Sequence, residues 1–562
     1  MTEATAPERT TATDLATASA TRPLTGGQAL VAQLKAEGID TLFALPGIQL
    51  DGLFDAIYDA VNDGSLRVFH TRHEQTTAYM ADGWARSTGR IGTCVVVPGP
   101  GLMNALAALS TAYAANSPVL CISGQIQSDL IEFGRGLLHE IPNQLGMVRS
   151  ATKHAERAVT PEEVPGTLNR AIRTMWEGRV RPVEIEVPQD TLFQTGDVQL
   201  RPAVGDRQRR VPNPDEVKAA AKLLGEARNP VIFAGGGVIG ADASEELRQL
   251  AELLQAPVIM SSNGKGALSS RHPLAQHGIA AMDLVPKADV LFAVGTRFAD
   301  AVSLRWKLQP GRTVVQLDID SEEVGRNYPV AAPVVADAKL GLAALIERIP
   351  KYSGARPDRT AEFAALDRGI QERVDAIQPQ AGFAYAIRSE LPDEGIWVSE
   401  QTQIGYWANL GLPVYNPRTF IGPSYQGTLG FGFPTALGVQ VAHWDTPVVS
   451  VNGDGGFGFA LAELATQAQF GIPLVSVVFD DGAYGNVRRI QQEQMNGRVI
   501  ASNLRNPDFR DLADVFGVTG RRAETPEQLR THLREGFAAR EPTLIHVPVQ
   551  PMPNPWTVLG IR

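Results

Sequence analysis

The chain has 562 residues, too many for one hydrophobic core, and that length predicts three or four domains. Its formal charge of −10 comes with no Lys/Arg block, which argues against a nucleic-acid partner. Cys94 and Cys121 each sit inside an apolar run, so a disulfide framework or zinc site is not expected and a reducing compartment is.

Residues 1–23 are rich in Thr and Ala, with Glu3, Glu8 and Asp14 interspersed, and read as a tail and not as a signal or transit peptide. No apolar run nears the roughly 20 residues that span a bilayer. The expectation is a cytoplasmic protein with no membrane partner. From residue 24 onward, short β-branched runs alternate with amphipathic helical stretches, which predicts an α/β fold of doubly wound parallel sheets. Strands are expected at 93–97, 119–123, 183–187, 231–234, 290–294, 314–317, 448–451, 475–479 and 543–547. Most are apolar at nearly every position, as in strands covered on both faces.

The two ends of the chain echo each other. Val95-Val96-Val97-Pro98-Gly99-Pro100-Gly101 leads into an Ala-rich helix and then Ser117-Pro118-Val119-Leu120. Far along the chain, Val449-Ser450-Val451-Asn452-Gly453-Asp454-Gly455 leads into another Ala-rich helix and then Ile472-Pro473-Leu474-Val475. Pro182-Val183-Glu184-Ile185-Glu186-Val187-Pro188 also matches Pro542-Thr543-Leu544-Ile545-His546-Val547-Pro548. Two related domains, expected at 24–195 and 365–562, therefore bracket a different one at 210–350. That middle domain carries Val231-Ile232-Phe233-Ala234-Gly235-Gly236-Gly237-Val238. Glycines after a strand suit a nucleotide phosphate, but this run lacks the full dinucleotide spacing and reads as a tight turn.

The chemistry-bearing pattern is Gly453-Asp454-Gly455, after a strand and opening a helix, followed by Asp480-Asp481 at the end of the next apolar strand. Both acids then lie at carboxyl ends of neighbouring parallel strands, where open α/β sheets bind ligands. Gly455 and Gly456 leave backbone N–H groups for a phosphate, and Gly482-Ala483-Tyr484-Gly485-Asn486 leads into a second helix start. Two oxygen ligands beside a diphosphate suit Mg²⁺.

This stretch resembles the thiamine-diphosphate signature, Gly-Asp-Gly, a spacer, then Asn-Asn. The resemblance covers the chain from about Leu24 onward. It implies a pyrimidine-binding domain, a central Rossmann-like domain and a diphosphate-binding domain. It assigns metal binding to Asp454, Asp481 and the Ala483 carbonyl, with Asp480-Asp481 standing where the family has Asn-Asn. Contacts to thiamine diphosphate are implied for Gln403, Gly427, Leu429, Gly453, Asp454, Gly455, Gly456, Asp481, Ala483, Tyr484, Gly485 and Asn486, with Leu429 as the apolar wedge under the bent cofactor. Arg72-His73-Glu74-Gln75 is similar to a segment of acetohydroxyacid synthases and benzaldehyde lyase, which makes Glu74 the acid beside the aminopyrimidine. A carboxyl in an apolar cleft can trade a proton with that ring, leading to the cofactor ylid. The resemblance further implies a homodimer or homotetramer with the active site between subunits.

Within the family the pattern is most like the acetolactate synthases, as in Asp318-Ile319-Asp320, Arg297-Phe298 and Asn506-Pro507-Asp508-Phe509. Gln49 lies in the first active-site loop, where benzaldehyde lyase has a catalytic His at the position of Pro46. His139 stands where acetohydroxyacid synthases carry a Gln facing substrate, and Ile490 where they carry a specificity-setting Trp. Their Arg-Phe-Asp-Asp-Arg reads Arg297-Phe298-Ala299-Asp300-Ala301, losing the Arg that holds the acceptor carboxylate, for which Arg305 is a substitute candidate. Gly278-Ile279-Ala280-Ala281 replaces a flavin-proximal Gly-Met-His-Gly, which weakens the case for FAD. The expected activity is a carboligase or lyase acting on 2-oxo acids or related small carbonyl substrates. A 2-oxo acid decarboxylase, a flavin-linked 2-oxo acid oxidase and a catalytically silent homologue are the alternatives.

Overall fold

The computed structural model describes residues 21–205, 207–298 and 313–560, so all but the end of the expected tail lies outside the described residues. Residues 1–85 and 91–208 form one compact unit; residues 86–90 and 209–562 form another.

The first unit is built on six parallel strands in the order Arg67–His70, Thr41–Ala44, Gly92–Val96, Val119–Gln125, Val183–Pro188 and His154–Arg157. Numbered along the chain, that order is 2-1-3-4-6-5. The central strands are buried throughout, as parallel strands covered on both faces must be. Arg22–Thr25 and Thr195–Val198 add a small antiparallel pair. Thr25 also caps the helix Gly26–Ala36 in a reciprocal box with Gln28.

The second unit holds two parallel sheets. One runs Ala275–Gln276, Val258–Met260, Pro230–Ala234, Val290–Val294, Thr313–Asp318 and Ala332–Val335, the 3-2-1-4-5-6 order of dinucleotide-binding folds. The other runs Phe420–Ile421, Ile396–Ser399, Val448–Gly453, Val475–Asp480, Thr543–Pro548 and Thr519–Arg522, again 2-1-3-4-6-5. The matching orders bear out the sequence echo, whose three pairs are the third, fourth and sixth strands of each sheet.

One expectation needs correction. Pro100–Ala115 is a continuous helix, but its counterpart is broken into Asp454–Phe457, a 3-10 turn at Leu461–Glu463 and Leu464–Phe470. Gly455, Gly456 and Gly458 explain the break, because glycine is a poor helix former.

Candidate active site

In the last sheet the strand order reverses between Ile396–Ser399 and Val448–Gly453, which opens a crevice at their carboxyl ends. Asp454 ends one side of it. Its Oδ2 accepts the Ala483 N–H at 3.1 Å and Asn506 Nδ2 at 2.7 Å. Asp481 follows the neighbouring strand Val475–Asp480, and Arg488 Nη2 reaches its Oδ2 at 3.0 Å. Burial pushes the Asp454 carboxyl up to about 7, and the charges of Asp480 and Asp481 add to this against the Asn506 bond. Asp481 is pushed up as well, by burial first, with Arg488 opposing. Carboxylates crowded this way favour an added cation. Among the described residues no three His, Cys, Asp or Glu side chains converge to hold a metal by themselves. An ion between Asp454 and Asp481 could draw its remaining oxygens from the Ala483 carbonyl, a diphosphate and water, which is the manner of Mg²⁺.

The surroundings suit a diphosphate. Gly455 lies flat against Tyr484, where a Cβ would come 2.7 Å from the ring, and a Cβ on Gly485 would lie 2.7 Å from Asp481 Oδ2. Gly485 starts the helix Gly485–Gln494, whose first turn holds Asn486, with Oδ1 2.8 Å from Arg489 Nη2. Gln403 opens the helix Gln403–Gly411, and its buried Oε1 has no hydrogen-bond partner among the described residues. Leu429 stands between Gly427 at φ +58° and Gly430 at φ +80°, and at 36 % exposure it is presented by its turn and is not a core leucine. Ile490 is half-buried on the helix Gly485–Gln494.

Sequence reasoning missed three residues here. Glu400 follows Ile396–Ser399 and is buried. Its Oε1 accepts the Gly430 N–H at 2.6 Å, and a Cβ on Gly456 would lie 2.2 Å from its Oε2. Burial pushes this carboxyl up to about 7, against the N–H groups of Gly430, Gly453, Phe431 and Gly432. Glu400 thus ties the Leu429 turn to the Gly453–Gly456 turn. Asn506 bonds Asp480 Oδ1 as well as Asp454, and His546 lies between Asp480 at 3.1 Å and Asp508 at 3.3 Å. Burial works against Asp480, but bonds from His546, Asn506 and Gly482 hold its carboxyl down to about 2. A lone imidazole in the otherwise apolar strand Thr543–Pro548 was the available signal.

In the first unit, Glu74, Gln49 and His139 gather around the turn after Gly92–Val96. A Cβ on Gly99, at φ +58°, would lie 2.3 Å from the His139 carbonyl oxygen, and one on Gly101 would lie 3.5 Å from Glu74 Oε1. Glu74 opens the helix Glu74–Thr88, is half-buried, and accepts Asn104 Nδ2 at 3.0 Å. Gln49 Oε1 lies 2.9 Å from His139 Nδ1. The same loop is anchored by Gln144, which sequence reasoning also passed over. Its Oε1 accepts the Gly99 N–H at 2.9 Å, and its Nε2 donates to Glu186 Oε2 at 2.9 Å.

At the reversal of the central sheet, the Gly235 N–H goes to Val294 O and the Gly237 N–H to Gly295 O, each at 2.9 Å. A Cβ on Gly237 would lie 2.6 Å from Gly295 Cα, so backbone packing accounts for the glycine run as a tight turn. Ala299, Asp300, Ala301 and Arg305 lie outside the described residues.

Three family models match the chain: the N-terminal TPP binding domain of thiamine pyrophosphate enzymes over residues 24–147, their central domain over 217–345 and their C-terminal TPP binding domain over 400–547. A probable acetolactate synthase large subunit of Methanocaldococcus jannaschii is 36% identical, with 94% of this chain and 92% of that protein covered. An acetolactate synthase of Arthrospira platensis is 33% identical, with 94% of this chain and 95% of that protein covered. A probable 2-ketoarginine decarboxylase of Pseudomonas aeruginosa is also 33% identical over 94% of each. The matches settle the family: the chain belongs to the thiamine pyrophosphate enzymes, as an acetolactate synthase-like member that makes or breaks carbon–carbon bonds.

Proposed function

We propose that this enzyme joins or cleaves 2-oxo acids and related small carbonyl compounds, with Mg²⁺ held by Asp454, Asp481 and the Ala483 carbonyl. The observation that carries the metal reading is the crowding of Asp454, Asp480 and Asp481 in a buried crevice, where burial first and the two neighbouring charges next push the Asp454 carboxyl up to about 7. Domains at 24–195, 210–350 and 365–562 would divide the work, and two copies of the chain would complete each site. Backbone at Gly453, Gly455, Gly456 and Gly485 would hold the diphosphate, with Tyr484, Asn486, Gln403 and Gly427 as further contacts. Leu429 would be the apolar support of the cofactor.

Bound thiamine diphosphate supplies an electron sink beside the reacting carbonyl. Glu74 is the carboxyl that would meet the pyrimidine ring and serve it as a proton partner, and Asn104 keeps that carboxyl in place. Gln49, His139 and Ile490 line the substrate. Buried free thiols at Cys94 and Cys121 support a cytoplasmic setting. The second reading, a 2-oxo acid decarboxylase, is supported by the similarity to the Pseudomonas protein.

Incubating the full-length enzyme with thiamine diphosphate, Mg²⁺ and a panel of 2-oxo acids and aldehydes, with products identified, tests the proposal. Coupled hydroxyketone products support the ligase reading; aldehyde and CO₂ alone support the decarboxylase; no turnover of any 2-oxo acid refutes both.

A further inference from the structure

The loops that follow Thr41–Ala44, Gly92–Val96 and Val119–Gln125 meet where the first sheet's strand order reverses, the edge at which such sheets bind ligands. There Gln49 is almost wholly buried, and both ends of its amide are committed. Nε2 lies 3.0 Å from the Leu138 carbonyl, which can only accept a hydrogen bond. That contact fixes the amide orientation and turns Oε1, an acceptor, toward His139 Nδ1 at 2.9 Å. An acceptor facing Nδ1 requires the proton of the neutral ring to sit on Nδ1, leaving the lone pair on Nε2.

The backbone around His139 is equally constrained. His139 adopts φ +68°, unusual for a residue with a side chain. Its carbonyl fills the space a side chain at Gly99 would need, and Gln144 fastens Gly99 to Glu186. The same turn backs onto Glu74 through Gly101. A histidine with its tautomer fixed by Gln49, on a strained backbone packed against the turn that also meets Glu74 at Gly101, is set for proton transfer.

We propose that His139 is a catalytic proton shuttle working through Nε2, and that Gln49 is the positioning residue that fixes its tautomer; this rests on the ligase reading above. Forming a carbon–carbon bond at an acceptor carbonyl turns its C=O π pair into an oxygen lone pair, which takes one proton. Restoring the donor-derived carbonyl, with release of product, returns one proton from that carbon's hydroxyl. The protonated ring gives the first proton from Nε2 while Nδ1–H stays on Gln49, and the neutral ring takes the second back at Nε2. The ring ends as it began, with no outside acid or base consumed.

The test uses full-length enzyme labelled with ¹⁵N-histidine, with and without thiamine diphosphate and Mg²⁺, the His139 signals being assigned by their loss in His139→Gln. Wild type should show a protonated Nδ1 and an unprotonated Nε2 in the neutral ring, and Gln49→Leu should move the proton toward Nε2. His139→Gln should bind cofactor as tightly as wild type by calorimetry while its kcat falls by roughly 100-fold or more. An Nε2–H tautomer in wild type, or wild-type turnover by His139→Gln, overturns the shuttle, since glutamine can contact a substrate but cannot carry its proton. Failure of the wild type to bind thiamine diphosphate overturns the parent reading, and this one with it; binding with the wrong tautomer overturns this one alone.

Discussion

The first and last sheets share the strand order 2-1-3-4-6-5, and at the same position of their sixth strands stand Glu186 and His546. Each fastens a loop of the candidate site to the scaffold, with opposite polarity. Glu186 accepts Gln144 Nε2, which holds the Gly99 turn, and pairs with Arg157 of the neighbouring edge strand His154–Arg157, so its partners are an amide and a guanidinium. His546 sits between Asp480 and Asp508, so the segments it fastens bring carboxylates. The duplicated fold keeps the fastening point and exchanges the chemistry. Near the turn that Gln144 and Glu186 fasten, the first sheet carries Glu74, the acid proposed to serve the cofactor ring. The last sheet presents Asp454, Asp480 and Asp481, suited to a cation and its anion.

The largest effect should come from removing the anchor of the acidic half. Asp454→Ala is expected to abolish Mg²⁺-dependent thiamine diphosphate binding, because Asp454 would be a ligand of the cation that binds the diphosphate. Calorimetric titration reads this directly, and unchanged affinity in the variant would remove the metal from this crevice.

On the other half, the comparison predicts loss of chemistry without loss of binding. Glu74→Gln should keep its fold and its cofactor affinity while turnover falls by roughly 10²–10⁴-fold, the usual contribution of a positioned acid or base. Near-normal kcat in the purified variant would break the division of labour between the two sheets.

Much of this was legible in the sequence because buried parallel strands write themselves as apolar runs. Val290–Val294 was expected with its observed bounds, and the others within a residue or two. The strands that were not foreseen are mostly short or at edges. His154–Arg157 and Thr519–Arg522 each end a sheet, where one flank needs no partner and polar side chains are tolerated. Asp454 and Asp481 were visible because turn chemistry placed them at neighbouring strand ends. Glu400, Asn506 and Gln144 were not, because each works through a contact distant in sequence. Gln144 reaches Gly99 with no local pattern to mark it, and the segment Asn506-Pro507-Asp508-Phe509 gives no sign that its Asn506 reaches Asp454.

Glu400 offers a sharper and smaller test, since the first sheet has Leu45 after its corresponding strand. Burial raises this carboxyl to about 7, so the folded protein holds its proton more tightly than the unfolded chain does. Such a group gives its full stabilisation below the unfolded value, about 4.3. That stabilisation is lost as pH rises toward the folded value. In cofactor-free enzyme, wild-type stability should therefore decline across this window, by on the order of 3 kcal/mol from this group. Glu400→Gln should flatten the decline whatever its overall offset. Urea denaturation from about pH 4 to about pH 8 compares the slopes, and parallel curves would show that Glu400 does not titrate in the fold.

The smallest expected effect concerns which acceptor the enzyme prefers. Ile490 is half-buried on Gly485–Gln494, the helix that begins beside Asp481, and it stands where acetohydroxyacid synthases place a tryptophan wall. An aliphatic side chain there leaves room that an aromatic ring would fill, and a methylene's worth of fit in such a pocket is about 1–3 kcal/mol. By resemblance Ala301 stands where those synthases carry a carboxylate-holding arginine, so an acceptor acid would lose a charge-assisted bond roughly twice as strong as a neutral one. Both changes favour an uncharged acceptor, such as an aldehyde or a diketone, over 2-oxobutyrate. Ile490→Trp restores only the wall, so it should shift selectivity toward 2-oxobutyrate by roughly 10-fold without making that acid the preferred partner. Competition assays with pyruvate as donor and mixed acceptors measure the ratio. Selective formation of acetohydroxybutyrate by the unmodified enzyme would show that neither residue governs the choice, and that the last sheet keeps the specificity of the acetohydroxyacid synthases by other means.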